Sequence, residues 1–141
     1  MPGKRRPTSR GRGLAPSAVL ERIRKLEARG VIRGYAALVD PAVFDQGMLA
    51  FVAVRSAEAP SDDSVARQLS ELPEVLEVHH VAGDDCYLLK VRTRDPEQLG
   101  SLLRTRIGRI PGVRSTRTTI VLETVKETPR LQLKKPAEVA S

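Results

Sequence analysis

The feature that most constrains the fold is a weak internal repeat in the second half of the 141-residue chain. VAVRS at 52–56 resembles LKVRT at 89–93, and LPEV at 72–75 resembles IPGV at 110–113. The two pairs recur at offsets of 37 and 38 residues. In each unit an alternating apolar strand precedes an amphipathic segment, and a second strand follows it. The repeat therefore predicts two similar β-α-β units.

Each predicted helix begins at an acidic signal and carries an apolar face. The first follows the stretch from Ser61 to Asp63, and the second follows Asp95 and Pro96. A proline ends each helix, and the chain returns as the strand VLEVHHVAG in the first unit and VRSTRTTIVLETV in the second. The apolar positions expected in the core are Val65, Leu69 and Leu72 of the first helix, and Leu99, Leu103, Ile107 and Ile110 of the second.

The turn between the two units completes an α+β topology. AGDDC at 82–86 joins two strands in a hairpin. The order βαββαβ is that of the ferredoxin-like, split β-α-β sandwich, in which two helices cover one face of an antiparallel sheet. The other face has no cover within this pattern. Because its strands are apolar, we predict a dimer built sheet to sheet.

A separate helix is predicted near the N-terminus. Pro16 suits a first helical turn, Arg29 is the last periodic residue, and Gly30 provides a C-terminal stop. VIRGYAALVD at 31–40 is predicted to be a short strand that leads to Pro41 as a linker. The helix has an apolar face and a basic stripe, formed by Val19, Ile23 and Leu26 and by Arg22, Lys25 and Arg29, respectively.

Charge is divided unevenly along the chain, whose net charge is +7. Residues 1–35 contain ten lysines and arginines against two glutamates, whereas residues 36–141 contain 14 basic and 15 acidic residues. This asymmetry indicates a nucleic-acid or acidic-surface partner for the N-terminal part. A solvated basic tail is the alternative interpretation. The first residues, rich in Arg, Gly and Pro, have too little apolar content to pack and are predicted to be disordered.

Several classes of protein are excluded by composition. No apolar run approaches the roughly 18 residues that span a bilayer, and the basic N-terminus lacks the apolar stretch of a signal peptide. Cys86 is the single cysteine, so it forms no internal disulfide and provides too few thiolates for a zinc site. We therefore expect a cytoplasmic protein.

The stretch HHVAGDDC at 79–86 raises the question of an enzyme, because it gathers histidines, acids and a thiol. Strand alternation points His79 and His80 to opposite faces, so they cannot both bind one metal ion without a bulge. A single thiol without a fixed base is more often a small buried side chain. We therefore predict no catalytic residue and no metal site.

Three segments together resemble one known family. LAPSAVLERIRKLEARGVIRGYAALVDP, LPEVLEVHHVAGDDCYLLKVRTRD and IPGVRSTRTTIVLETVKET resemble the recognition helix, linker strand and effector-sensing domain of the Lrp/AsnC transcriptional regulators, also called feast/famine regulatory proteins. The resemblance covers about residues 14–127. It implies a homodimer, often assembled further into an octamer, that binds double-stranded DNA through a helix-turn-helix. It also implies sensing of amino acids at interfaces between sensing domains, with no other cofactor.

The resemblance divides the chain into four parts. These are a disordered basic arm (1–13), a partial helix-turn-helix with its linker strand (14–41), a ferredoxin-like sensing and oligomerisation domain (47–127) and a flexible tail (128–141). Family members have about two more helices before the recognition helix. Either the start of this chain lies downstream of the true start, or the protein is a shortened paralogue. The expectation in both cases is DNA binding that is mostly electrostatic and only weakly sequence-specific.

Candidate DNA contacts follow from position on the N-terminal helix. Ser17 and Arg22 are near enough to its N-terminus to reach base edges in a major groove, whereas Arg24, Lys25 and Arg29 are placed for phosphates. The alternative for these residues is a solvated helix face. The alternative for the whole protein is a stand-alone ligand-sensing and oligomerisation protein that no longer binds DNA specifically.

Candidate effector contacts surround the hairpin turn. Gly83 permits close backbone approach, and Asp84 or Asp85 supplies negative charge for an ammonium group. Thr116 and Thr118 lie two apart on one strand face, where their hydroxyls suit a carboxylate. Many family members place an aspartate directly before the aromatic residue of this hairpin, but here Cys86 has that position, so the choice of acid stays open. A plain turn and a solvated strand are the alternative.

Overall fold

The computed structural model describes residues 15–59 and 61–134. The described residues divide into two compact units, which meet between Val39 and Asp40. The predicted disordered arm at 1–13 and the last residues of the predicted flexible tail lie outside the described residues.

The first unit contains the predicted N-terminal helix, α1, at Pro16–Ala28. Pro16 occupies the first turn, where its missing N–H costs no hydrogen bond. Gly30, with φ of +77°, ends the helix in a Schellman motif. Its N–H donates to the Glu27 carbonyl at 3.0 Å, and the Val31 N–H donates to the Leu26 carbonyl at 2.9 Å. Both ends of the helix are therefore as predicted.

The residues after α1 do not form the predicted strand. The backbone over 31–40 makes bends and irregular structure, and it enters no ladder among the described residues. An isolated extended segment cannot satisfy its backbone groups with itself, so an alternating pattern alone does not create a strand. The phenol of Tyr35, in this segment, instead donates to Glu27 of α1 at 2.6 Å.

The second unit has the predicted α+β order. It opens with a short 3-10 turn at Pro41–Phe44. Its strands are β1 at Met48–Ser56, β2 at Val75–His80, β3 at Tyr87–Thr93 and β4 at Val113–Ile120. Its helices are α2 at Ser64–Ser70 and α3 at Pro96–Leu102, which continues as a π-helical turn at Leu103–Ile107.

The four strands form one antiparallel sheet in the order β2-β3-β1-β4. This is the order of the split β-α-β sandwich, so the predicted topology of this unit is confirmed. In the central strand β1, Val54 is in register with Tyr87 of β3 on one side and with Thr116 of β4 on the other. The end of the β2–β3 hairpin and the start of β4 therefore lie at the same end of the sheet.

The core lies between one face of the sheet and the two helices. Alternate strand residues, such as Val52 and Leu89, pack with Leu69 of α2 and Leu99 of α3. We call this side the helix-covered face. The opposite side, which we call the open face, carries Leu49, Phe51, Ala53 and Arg55 of β1, Leu88, Lys90 and Arg92 of β3, and Ser115, Arg117 and Thr119 of β4.

The second helix departs from regular α-helical spacing. Leu99, Ile107 and Ile110 are buried as predicted, but Leu102 replaces the predicted Leu103 as a fully buried position. The π turn adds one residue after Leu102 and so returns the later apolar residues to the core. Its closing bond runs from the Gly108 N–H to the Leu103 carbonyl at 2.8 Å.

Among the described residues, no helix combines the length and the apolar character that crossing a membrane requires.

Candidate functional site

The hairpin turn between β2 and β3 is held at both ends. The Val81 N–H donates to the Cys86 carbonyl at 3.0 Å, and the Cys86 N–H donates to the Val54 carbonyl of β1 at 2.9 Å. Gly83 has φ of +122°, a conformation that side chains other than glycine rarely adopt. A Cβ at this position would meet no atom within 4 Å. The glycine is therefore required by the backbone, and the space beside it is open.

The two turn acids differ in their contacts within the described residues. The Asp85 carboxylate accepts a hydrogen bond of 2.5 Å from Nη2 of Arg117, which lies on the open face of β4. Asp84 is exposed and makes no ion pair within the described part of the chain. Asp85 thus links the tip of the hairpin to the edge strand, whereas Asp84 projects into solvent.

The two predicted threonines share a face, as their spacing predicted. Thr116 is in register with Val54, and Thr118 with Val52, so both belong to the helix-covered face of the sheet. Thr116 is exposed and Thr118 is half-buried. Asp85 contacts Arg117 on the open face, whereas the two threonines belong to the helix-covered face. Within one chain, the predicted effector residues therefore do not surround a single site.

A partly buried hydrogen-bond network beside the turn was not predicted from the sequence. The Tyr87 phenol donates to Oε1 of Glu58 at 2.7 Å, while the Val65 N–H donates to its Oε2 at 3.1 Å. Burial raises the pKa of Tyr87 to about 12, and the hydrogen bond to Glu58 and the charge of Glu58 add to the effect. Glu58 therefore ties the strand after the turn to the first turn of α2.

The acidic stretch predicted at the start of α2 contributes one hydrogen bond to the helix N-terminus, although not from Asp63. Asp63 is the N-cap residue, but its side chain makes no capping hydrogen bond. It pairs instead with Arg67 at 3.0 Å. Asp62 accepts from the Ser64 N–H at 2.9 Å, and Glu58 accepts from the Val65 N–H. No local signal marks Glu58, because it lies outside the spacing of an N-cap. The start of α3 behaves as predicted, since Asp95 accepts from the Gln98 N–H at 2.8 Å.

The two histidines lie on opposite faces of β2, as strand alternation predicted. His79 is in register with Leu88 of the open face, and its Nε2 lies 2.9 Å from Oε1 of Glu77. The ring of His80 lies 5.2 Å from the ring of Tyr87. Within residues 15–59 and 61–134, no three His, Cys, Asp or Glu side chains are grouped as a metal site would require.

A second charged cluster lies on the open face. Lys90 is paired with Glu127 at 2.5 Å and lies 3.8 Å from Glu77, while Arg92 lies 3.9 Å from Glu127. The hydrogen bond and charge of Lys90 hold the pKa of Glu127 below its ordinary value. The chain after β4 therefore returns across β1 to reach β3, and it neutralises part of this face.

The predicted DNA-contacting residues are all exposed, four of them on α1 and Arg29 at its C-cap. Ser17, Arg24 and Lys25 lie on one helix face at i, i+7 and i+8, opposite the apolar stripe of α1. Arg22 and Arg29 lie between these two faces. No described residue of the helix is buried, and Leu26 in the apolar stripe is 38% exposed.

Comparison with known proteins identifies the family. The model of the Lrp/AsnC ligand binding domain matches residues 49–131. The HTH-type transcriptional regulator FL11 of Pyrococcus horikoshii is 43% identical over 129 residues, which cover 92% of this chain and 84% of that relative. The leucine-responsive regulatory protein of Escherichia coli K12 is 40% identical over 124 residues, with coverages of 86% and 76%.

Solved structures agree with the sequence matches. A transcriptional regulator from Neisseria meningitidis in complex with L-methionine has a TM-score of 0.80 at 30% identity, covering 85% of this chain and 79% of that one. A feast or famine regulatory protein from M. tuberculosis complexed with L-methionine has a TM-score of 0.76 at 37% identity, with coverages of 84% and 80%. The resemblance found in the sequence is confirmed, and this chain belongs to the Lrp/AsnC family.

Proposed function

We propose that this protein is a transcriptional regulator that binds double-stranded DNA through α1 and responds to an amino acid through its sheet domain. The observation that carries the proposal is that α1 exposes the basic side chains of Arg22, Arg24 and Lys25. The second unit of the same chain has the Lrp/AsnC ligand-binding fold. The relatives are transcriptional regulators, and the proposal assigns no catalytic residue.

The DNA contacts are proposed from the physics of a helix in a groove. A major groove admits an α-helix, and residues near its N-terminus contact base edges. Ser17 and Arg22 have that position. The side chains of Arg24, Lys25 and Arg29 neutralise phosphates, which provides most of the affinity and makes it fall with salt.

A salt series tests this assignment. We expect the logarithm of the binding constant for duplex DNA, measured by fluorescence anisotropy, to fall linearly with the logarithm of the salt concentration. Lys25→Gln should make this slope shallower by about 0.9 for each copy of the chain that binds. The matched control is Arg104→Gln, an exposed arginine in the π turn, which should leave the slope unchanged. Absence of affinity for any duplex at low salt would favour the stand-alone ligand-sensing alternative.

The effector is proposed to be an amino acid bound at the Gly83 turn. Two related structures carry L-methionine, so this compound is the first to test. Asp84 or Asp85 would receive the ammonium group. Thr116 and Thr118 are the hydroxyl partners predicted from the sequence, and loss of affinity for L-methionine in Thr116→Val, measured by calorimetry, would support that prediction.

A second copy of the chain is proposed to cover the open face. In one chain this face exposes Leu88, at 37%, beside the half-buried Phe51 of β1. Burial of apolar side chains against a partner removes them from water, and this stabilises the complex of the two copies. A site at the hairpin turn would then receive walls from more than one copy.

A further inference from the structure

The chain after β4 covers one end of the open face. We call residues 121–127 the strap. The first N–H of the strap donates to the Leu49 carbonyl of β1 at 2.9 Å, and its last residue, Glu127, is paired with Lys90 of β3. Leu49 is 6% exposed although it belongs to the open face, whereas Leu88, two residues before Lys90 on the same face, is 37% exposed. The strap therefore covers one end of this face and leaves the hairpin end uncovered.

Two cations fix the last residue of the strap on the sheet. The side chains of Lys90 and Arg92 are 17% and 13% exposed, so both are mostly removed from water. A cation in this position needs an opposite charge, because its transfer from water is costly. One oxygen of Glu127 is paired with Lys90 and the other lies 3.9 Å from Arg92. Glu77 lies 3.8 Å from Lys90, and Arg92 donates to the Gln46 carbonyl at 3.3 Å. The strap is therefore held in place within a single chain.

The strap presents apolar side chains on its outer side. Leu122 is 97% exposed and Val125 is 89% exposed, so both point away from the sheet beneath them. Exposed apolar side chains that are grouped on one face mark an interaction surface. Because both ends of the strap are already fixed, a partner would bury these side chains without the entropic cost of ordering the segment.

The shape of the open face is complementary to itself. A two-fold dimer uses the same surface of both copies, so each feature of that surface must fit another feature of it. The strap raises one end of the face, and the other end leaves Leu88 exposed beside the half-buried Phe51. A two-fold axis that exchanges the two ends places each raised end against the uncovered end of the other copy.

We infer that the two straps form the core of the dimer contact, with Leu122 and Val125 of each copy packed on Phe51 and Leu88 of the other. This inference rests on the proposed dimer and assigns its contacts. The occupant of the uncovered sheet is thus the strap of a second copy, and the bare sheets of the two copies do not meet along their whole length.

The dissociation constant of the dimer, measured by sedimentation over a dilution series, tests the apolar contacts. Leu122→Ser combined with Val125→Ser should raise it by at least about 100-fold, because four apolar side chains per dimer lose their burial. The matched control is Leu133→Ser, which removes an equally exposed leucine, at 89%, from beyond the strap. It should leave the dissociation constant within about 3-fold. Substitutions at such exposed positions should leave the circular dichroism of the chain unchanged.

A second pair of variants tests the attachment of the strap. Glu127→Gln removes the charge that Lys90 and Arg92 hold, and it should raise the dissociation constant by about 10-fold, because the strap must then be ordered when the partner binds. Glu123→Gln is the matched control in the same strap, since Glu123 makes no ion pair within residues 15–59 and 61–134. It should leave the dissociation constant unchanged.

Crosslinking identifies the copy that the strap contacts. A photoreactive amino acid replaces Leu122, and dimers are assembled from isotope-labelled and unlabelled chains. Crosslinks should join labelled to unlabelled chains and fall on β1 or β3. An unchanged dissociation constant in the double variant, an equal loss in Leu133→Ser, or crosslinks within single chains only would overturn the inference while the dimer stands. A monomeric wild type would overturn the dimer proposal itself.

Discussion

The hydroxyl of Tyr87 lies 2.7 Å from Oε1 of Glu58, and this bond joins the first residue of β3 to the loop that leads into α2. Tyr87 follows directly after the hairpin turn, and Glu58 also accepts from the backbone of α2. The turn proposed to bind the effector is therefore connected to a helix N-terminus by one carboxylate.

Alkaline titration of Tyr87 tests its burial. Its pKa is raised from 10.0 to about 12, so the folded state holds the phenol proton more tightly than the unfolded state. The resulting stability is fully present below about pH 10 and is lost as the pH rises through about 12. In Tyr35→Phe, phenolate absorbance reports Tyr87 alone, because the chain has two tyrosines. A midpoint near 10 would contradict the prediction.

Removal of the Glu58 charge tests the unpredicted helix cap. Glu58→Gln should lower the free energy of unfolding by about 1–2 kcal/mol, because the helix loses a charged acceptor at its N-terminus. Asp63→Asn is the matched control, since Asp63 makes no capping bond. We expect a change within about 0.5 kcal/mol for it in denaturant unfolding. Equal losses of unfolding free energy for the two substitutions would contradict the capping role of Glu58.

The π turn requires glycine at position 108. A Cβ on Gly108 would lie 2.7 Å from the Leu103 carbonyl oxygen, which is backbone and cannot move aside. Gly108→Ala should therefore destabilise the protein by about 1–3 kcal/mol in chemical unfolding. Gly34→Ala, where a Cβ would meet nothing within 4 Å, should have little effect. If Gly108→Ala left the free energy of unfolding unchanged, the π turn would not require glycine at this position.

We expect two copies of the chain to form a dimer by packing their open faces against each other. Sedimentation at micromolar concentration should give at least a dimeric mass for the wild type. Phe51→Glu places a charge on this face and should give a monomer with unchanged circular dichroism. Arg104→Glu, on the helix layer, should remain assembled. A monomeric mass for the wild type would contradict the prediction that a second copy packs on the open face.

The sequence was sufficient for the features that depend on local periodicity. The repeat predicted all four strands and both helices of the second unit, and Pro16 and Gly30 located α1. Features that depend on distant partners were not predictable. Glu58 caps a helix from a preceding loop, and Asp85 meets a residue 32 positions away. The strand predicted at 31–40 failed for the same reason, because a strand needs a neighbour that no local pattern supplies.

The π turn explains why the two halves of the repeat differ in length. Val65 corresponds to Leu102 at an offset of 37, whereas Leu69 corresponds to Ile107 and Leu72 to Ile110 at an offset of 38. The single extra residue of the second half thus falls within Leu103–Ile107. The insertion is absorbed inside a helix and is not expelled into a loop, so both halves present equivalent side chains to the sheet. Deletion of one residue from this turn should restore a regular helix and a constant offset of 37.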